Sequence, residues 1–418
     1  MRQYVLALSY GNFLIQNGGT DKVIREHCKM FNDVNCDYIF VFPVIRKIKL
    51  GKKEKNIRFW GLNINEKFIG LFAFNKLIVE LDSFPKELCR AIFVHHTWRI
   101  EYQEIFKICE LNKTPIYYYL HDFQSICANR NFVDGNNIFC GYSLNGLRCK
   151  EDCKFHAESI LNREAFQKMI FTLGNRIHCI GPSLNTKELF QLSFPSCASS
   201  IISIDHQKCE SYAKVPMYNH KKIRIAYIGA QVPIKGWDDF KGLLDILRND
   251  KYELFYLGTG TDIPSGVKSI RVSVREQGET AMLDALKDNE IDVVLLLSCW
   301  PETYSYTYYE SFSAGCFVLT YESSGNMADQ VIKNGNGKVF SRVEEVGEYL
   351  TKTDFVCDDI EKYQRSELKI PTRLIPNDEI VNWIITDSVS EKGNGYLCSP
   401  YRRAMIPEII YKLVNHIF

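Results

Sequence analysis

Two glutamates, Glu302 and Glu310, stand eight residues apart in the stretch 300–320, WPETYSYTYYESFSAGCFVLT. The run after Glu302 has helical spacing, so Glu302 precedes a helix mouth and Glu310 lies about two turns along it. A helix N-terminus offers unbonded N–H groups and partial positive charge, which suits a phosphate. A carboxylate beside it accepts hydrogen bonds from sugar hydroxyls. Taken alone, the spacing also fits an ordinary helix with exposed acids. Lys235 closes a glycine-bounded turn at 229–236 (GAQVPIKG), and His121-Asp122 follows the apolar run 115–120 (PIYYYL). Residues just past strand ends face the ligand crevice of a parallel sheet.

The elements that must position these groups are legible as alternating strands and helices. In the second half, strands are expected at 222–229, 252–257, 267–274, 291–297 and 317–321, with helices at 237–247, 280–286 and 304–314. In the first half, strands are expected at 4–9, 38–43, 91–95, 115–120 and 177–181. Helices are expected from a cap at Thr20 to about Phe31, at 101–111 and at 185–192. This alternation predicts βαβ units and parallel sheets. The pattern at 341–400 is unclear, and 406–418 (IPEIIYKLVNHIF) has the apolar stripe of an amphipathic helix.

Composition narrows the class. The chain has 418 residues, 46% hydrophobic and 24% charged, with a net charge of +1. That excludes a disordered chain and a coiled coil, and gives no basic excess of the kind nucleic-acid binders show. Residues 1–218 carry 28 Lys+Arg against 21 Asp+Glu, a net +7, and residues 219–418 carry 23 against 29, a net −6. The length calls for two domains. The first apolar run is too short for a signal-peptide core, and no run is long enough to span a membrane, so a cytoplasmic protein is expected.

With these residues in view, the stretch 300–320 resembles the Glu-x7-Glu signature of retaining GT-B glycosyltransferases, family four (glycosyl transferases group 1), of bacterial surface-polysaccharide type. Pro301-Glu302, Glu310, Ala314-Gly315 and the apolar 317–319 carry the likeness, and ordered landmarks extend it over roughly residues 1–340. The resemblance implies an α/β GT-B architecture, two Rossmann-like doubly wound domains facing a central cleft. The expected spans are 1–215 for an acceptor-binding domain, 216–400 for a nucleotide-sugar-binding domain and 401–418 for a terminal helix packing back on the first domain.

The same resemblance assigns roles. Lys235 matches the lysine that neutralises the donor diphosphate, helped by the helix mouth at Tyr304, Ser305 and Tyr306. Glu310 would hold the ribose, and Glu302 and His121 the donor sugar. Gly229 opens the family's phosphate loop, Gly258 and Gly260 its nucleobase loop, and Gly18-Gly19 the glycine pair of the first domain. Ala230 stands where the family usually has arginine, a departure at one phosphate contact. His95, His96 and Asp122 are candidates for the acceptor side. Asp-x-Asp occurs nowhere in the chain, in keeping with a catalytic site that needs no metal cofactor.

Two further features stand outside that set. Cys127, Cys140, Cys149 and Cys153, followed by His156, are spaced for a structural zinc, for plain thiols in a loop or for a disulfide. They fall in a segment at about 122–156 that resembles a cysteine-bearing insertion of some polysaccharide transferases and would shape the acceptor site. Between Arg46 and Arg58 (RKIKLGKKEKNIR) seven basic residues meet one acid, Glu54. That run is either a solvated loop or hairpin or a patch for anionic lipid at the inner face of the cell membrane; no aromatic interleaving supports nucleic acid. The sequence therefore points to an enzyme moving a sugar from a UDP- or GDP-sugar to a glycan or lipid-linked glycan acceptor. An inactive transferase-like partner subunit and a GT-B nucleotide-sugar epimerase are the alternatives.

Overall fold

The structure, a computed structural model, describes residues 2–50, 53–141, 149, 151–218 and 220–386, the side chains of 47–50, 53–55 and 386 aside. The first unit contains β1 (Gln3–Leu8), α1 (Gly19–Asp33), β2 (Cys36–Leu50), β3 (Lys53–Ile64), β4 (Lys67–Phe72), α2 (Phe74–Asp82) and β5 (Cys89–Val94). It continues with α3 (Tyr102–Cys109), β6 (Ile116–Tyr119), α4 (His156–Leu173), β7 (Ile177–Gly181), α5 (Leu184–Ser193) and β8 (Ile201–Ser203). Its eight strands lie in the order β4-β3-β2-β1-β5-β6-β7-β8. All neighbours from β2 to β8 are parallel, while β3 and β4 turn back antiparallel at one edge.

The second unit follows a linking strand, β9 (Gln207–Lys214). It comprises β10 (Ile223–Ile228), α6 (Trp237–Leu247), β11 (Tyr252–Gly258), β12 (Val267–Arg271), α7 (Val274–Gln277), α8 (Ala281–Asp288) and β13 (Val293–Leu296). Then come α9 (Tyr306–Ser313), β14 (Phe317–Tyr321), α10 (Asn326–Asn334), β15 (Gly337–Phe340), α11 (Val343–Thr351), α12 (Thr353–Gln364), β16 (Lys369–Pro376) and α13 (Glu379–Thr386). The six-stranded sheet β12-β11-β10-β13-β14-β15 is wholly parallel. This is the doubly wound order, whose strand sequence reverses between β10 and β13 and leaves a crevice at their carboxyl ends.

Burial explains why these segments are strands. Along β1, Tyr4, Leu6 and Leu8 enter the core beneath one face, with Ile105 of α3 and Phe166 of α4. Val5 and Ala7 enter the core of the other face, with Ile24 and Phe31 of α1. Successive strand residues point to opposite faces, and both faces are covered, so the strand is apolar throughout.

Several expectations change. Gly18, not Thr20, is the N-cap of α1, and Asp21 Oδ2 accepts the Gly18 N–H at 2.8 Å. The third strand of the second sheet stops at Arg271, because Ser273 caps α7 directly behind it. The basic run takes the hairpin form already among its expected readings: β2 and β3 pair from Ile39↔Ile64 to Leu50↔Lys53. The 18-residue helix α4 was not expected; its buried residues Phe166, Met169, Ile170 and Leu173 gather at one end, and its first half shows no apolar stripe.

The segment 341–400 becomes α11, α12, β16 and α13 as far as 386. β16 pairs antiparallel with β9, and Ile380, Val381 and Ile384 of α13 join the first sheet's core. The expected second-domain span of 216–400 therefore gives way at its end, where the chain has already crossed back. The helix expected at 406–418 lies outside the described residues. Among the described residues no helix is long and apolar enough to cross a membrane, and the described cysteines are all free thiols.

One backbone constraint connects the second sheet to the site. Gly236, directly after Lys235, has φ +80° and caps α6. A Cβ there would stand 2.3 Å from the Leu297 carbonyl oxygen at the end of β13. Gly236→Ala should destabilise the protein by at least about 1–2 kcal/mol from the left-handed backbone alone, read as a lower midpoint in denaturant unfolding. An unchanged midpoint would contradict this packing.

Candidate active site

The loops after β10 and β13 meet at the switch point of the second sheet. The Lys235 ammonium forms an ion pair with Glu302 Oε1, and the Ser298 hydroxyl donates to the same oxygen. The Glu302 side chain is 9% exposed, so its charge requires these partners. Its backbone is tied as well: Glu302 N–H donates to Ser324 O at 3.1 Å, and Asn326 N–H donates to Glu302 O at 3.3 Å. The Trp300 ring lies 5.4 Å from Lys235 Nζ and packs on the first unit's core.

The next residue fastens this loop to the first unit. Thr303 Oγ1 donates to His121 O at 2.7 Å, while Ser183 and Thr186 hydroxyls donate to Thr303 O at 2.7 and 3.2 Å. Ser305 then caps α9 by accepting the Tyr308 N–H. Gly19, Thr20, His121, His206, Lys235, Trp300 and residues 302–307 enclose a cleft of about 310 Å³ between the units. The first turn of α9 lines it, so the cleft holds a helix N-terminus, an ammonium and a carboxylate. That set can bind a diphosphate and a sugar together.

The histidines here are neutral. Burial drives His121 and His95 well below the usual imidazole value, and His206 down to about 3. His121 stacks on Tyr119 at 5.2 Å and lies 5.2 Å from His206, which in turn stacks on Tyr306 at 6.2 Å. A neutral imidazole can exchange hydrogen bonds with sugar hydroxyls, but it adds no charge to the cleft.

Glu310 faces a neighbouring chamber of about 620 Å³, beyond the Tyr306 ring. Lys22, Arg25 and Glu26 of α1 and Glu279 before α8 also line it. Lys22 Nζ lies 3.1 Å from Glu279 and 4.4 Å over the Tyr306 ring, and Arg25 reaches Glu279 at 3.9 Å. Burial raises Glu310 to about 7, with Lys22 opposing and Glu279 adding to the shift. Burial raises Glu26 to about 7 as well.

The other expected residues fall in different places. Gly229 has φ +106° and open space at its Cβ position. Gly258 and Gly260 line neither cavity: Gly258 packs on Tyr256 and Gly260 on Gln231. Gly18 stays behind Gly19 as the α1 cap. Tyr304 is half-buried in the cleft wall, stacked on Tyr309 at 4.6 Å. His95 is fully buried, bonded to Tyr38 Oη at 2.9 Å and to His121 at 3.3 Å, so it backs His121 rather than lining an acceptor surface. His96 is bound to Asp122 at 2.8 Å. Burial pushes the Asp122 carboxyl up, but His96, the Gln124 N–H and Arg130 outweigh it and hold it low.

Sequence reasoning missed Lys22, Arg25, Glu26, His206, Trp300, Thr303 and Glu279. The one available signal was that Lys22 follows Gly18-Gly19 on a helix entering from the crevice side of β1. His206 and Glu279 sit in connecting segments that carry no periodicity.

No protein-family model matches the chain, and no curated protein matches it. Solved structures do. Sucrose-phosphate synthase from Thermosynechococcus elongatus aligns over 87% of this chain and 93% of its own, at 11% identity and a TM-score of 0.53. TarM from S. aureus, in complex with fondaparinux, alpha-GlcNAc-glycerol and UDP, aligns over 87% and 95%, at 8% identity and 0.52. The lipopolysaccharide outer core galactosyltransferase WaaB aligns over 87% and 96%, at 15% identity and 0.50. The fold is that of GT-B glycosyltransferases.

The carboxyls in the chamber give a pH signature. Glu26 and Glu310 each titrate near 7 when folded, against the usual 4.5. The native state thus holds more protons than the unfolded chain between those values, and stability falls as pH rises through that window. Glu26→Gln with Glu310→Gln should flatten the loss of melting temperature between about pH 5 and about pH 8. An identical slope in the variant would contradict the burial of these carboxyls.

Proposed function

We propose that the protein is a retaining glycosyltransferase that moves a sugar from a nucleotide-sugar donor to a glycan or lipid-linked glycan acceptor in polysaccharide biosynthesis. The observation that carries this reading is the convergence of Lys235, Glu302 and the α9 N-terminus in one interdomain cleft at strand carboxyl ends. The complex of UDP with the fold neighbour TarM supports a UDP-sugar donor. Retention rests on the resemblance of the stretch 300–320 to the Glu-x7-Glu signature of retaining GT-B glycosyltransferases.

In this reading the donor diphosphate lies against Lys235 and the first turn of α9. Negative charge that builds on the leaving diphosphate is met by donors already in place, which lowers the barrier. Glu302, held by Lys235 and Ser298, accepts hydrogen bonds from the donor sugar, and neutral His121 faces the sugar from the first unit. Glu310, raised by burial to about 7, exchanges between carboxyl and carboxylate near neutral pH and can both donate to and accept from ribose hydroxyls. No cationic side chain stands at Ala230. Lys22 and Arg25 bring positive charge to the chamber from α1 instead, so closure of the two units completes donor binding.

The β2–β3 hairpin is proposed to touch anionic lipid at the inner membrane face. One of its cations is already engaged: Arg58 donates to Glu104 Oε2 at 2.6 Å and to Arg99 O at 2.7 Å. Neutralising Lys52, Lys53 and Lys55 together should weaken binding to vesicles of acidic phospholipid, with the effect lost at high salt. Unchanged binding would remove the membrane role.

A panel of UDP- and GDP-sugars, read by thermal shift and by product formation, tests the function. Lys235→Ala should lower turnover by on the order of 100-fold. Lys22→Gln should weaken donor binding by about tenfold. Sugar transfer with inversion would overturn retention. Full activity of Lys235→Ala, or no donor bound by the unaltered protein, would overturn the assignment.

A further inference from the structure

The insertion between β6 and α4 carries chemistry that the cleft does not use. Cys127 lies in the turn after β6, Cys140 follows the small bridge Val133↔Phe139, and Cys149 and Cys153 precede α4. All four line one cavity of about 20 Å³. Much of its remaining wall is apolar: Ile126, Phe132, Val133 and Phe155. Four thiols thus share a space the size of a single small ligand. Cys28, Cys109, Cys179 and Cys316, by contrast, lie buried among core apolar side chains.

An imidazole stands beside this cluster of thiols. His156 Nδ1 stands 3.3 Å from the Cys149 sulfur. An imidazole in that place can donate its N–H to a metal-bound thiolate and support the charge the sulfur then carries.

We propose that Cys127, Cys140, Cys149 and Cys153 form a tetrathiolate site for one zinc ion, which fastens the insertion to the start of α4. Zinc takes four thiolates in a closed tetrahedral site. Binding releases the four thiol protons and leaves the centre at net −2. Among the described residues no three Cys, His, Asp or Glu side chains already stand gathered as a metal-binding group. The four sulfurs close on the ion as it binds. The consequence reaches the cleft, because the same segment begins with Asp122 and its bond to His96, and carries Arg130, stacked 4.6 Å over Trp98. This proposal does not depend on which sugar, if any, the cleft transfers.

The test uses the full chain, expressed with added zinc and purified without chelator. Elemental analysis should find about one zinc per chain. Cys140→Ser and Cys153→Ser should each cut this by about tenfold, while Cys209→Ser leaves it intact. Cobalt(II) added to metal-stripped protein should give thiolate-to-cobalt charge-transfer bands and the strong visible bands of a tetrahedral ion. This readout serves even if a variant fails to fold. Protein without zinc whose four thiols react freely with a disulfide reagent would overturn the proposal. So would these cysteines isolated as disulfides, or zinc content unchanged in both variants.

Discussion

The buried carboxylate of Glu302 is the constraint around which the cleft is arranged. A charge taken from water this far is tolerated only when a cation and a donor stand against it. Lys235 and Ser298 supply them, from the loops after β10 and β13 on either side of the sheet's switch point. Bringing Lys235 into reach requires a tight left-handed turn against the end of β13, and only glycine fits at 236. The chemistry of the site and the packing of the sheet are therefore one requirement.

That requirement extends to the first unit through the neighbouring residue. Thr303 is bonded to His121, Ser183 and Thr186, so the loop holding Glu302 is also the joint between the two sheets. Trp300 on its other side packs against the first unit's core. Beyond the joint, α1 reaches Glu279 with Lys22 and Arg25, and β16 and α13 return the chain to the first unit. The uneven charge of the two halves fits this arrangement. The basic half presents Lys22 and Arg25 to a chamber that Glu279 and Glu310 of the acidic half line together with Glu26 of α1.

The parts of this arrangement that were legible in sequence share a cause. Parallel strands buried on both faces are continuous apolar runs, so Ile223–Ile228, Val293–Leu296 and Phe317–Tyr321 stood out. The Glu302–Glu310 spacing survived because a helix converts sequence distance into fixed geometry. What stayed illegible depends on contacts between distant segments. α4 carries its apolar stripe, Phe166, Met169, Ile170 and Leu173, only in its second half; β9 is largely polar and β16 holds two prolines, and they become strands by pairing with each other. His95 looked like a strand-end ligand, yet Tyr38 and His121 hold it inside the core. Lys22 and His206 acquire their places only when the two sheets face each other.

Hydrogen exchange of the backbone amides, measured with and without saturating UDP or GDP, addresses the central claim most directly. If the cleft holds a nucleoside diphosphate on Lys235 and the α9 N-terminus, one of the two should slow exchange across 229–236 and 302–307. It should leave the β3–β4 edge of the first sheet unchanged. Exchange that is unaltered in both segments with either nucleotide, or slowed only elsewhere, would contradict the account.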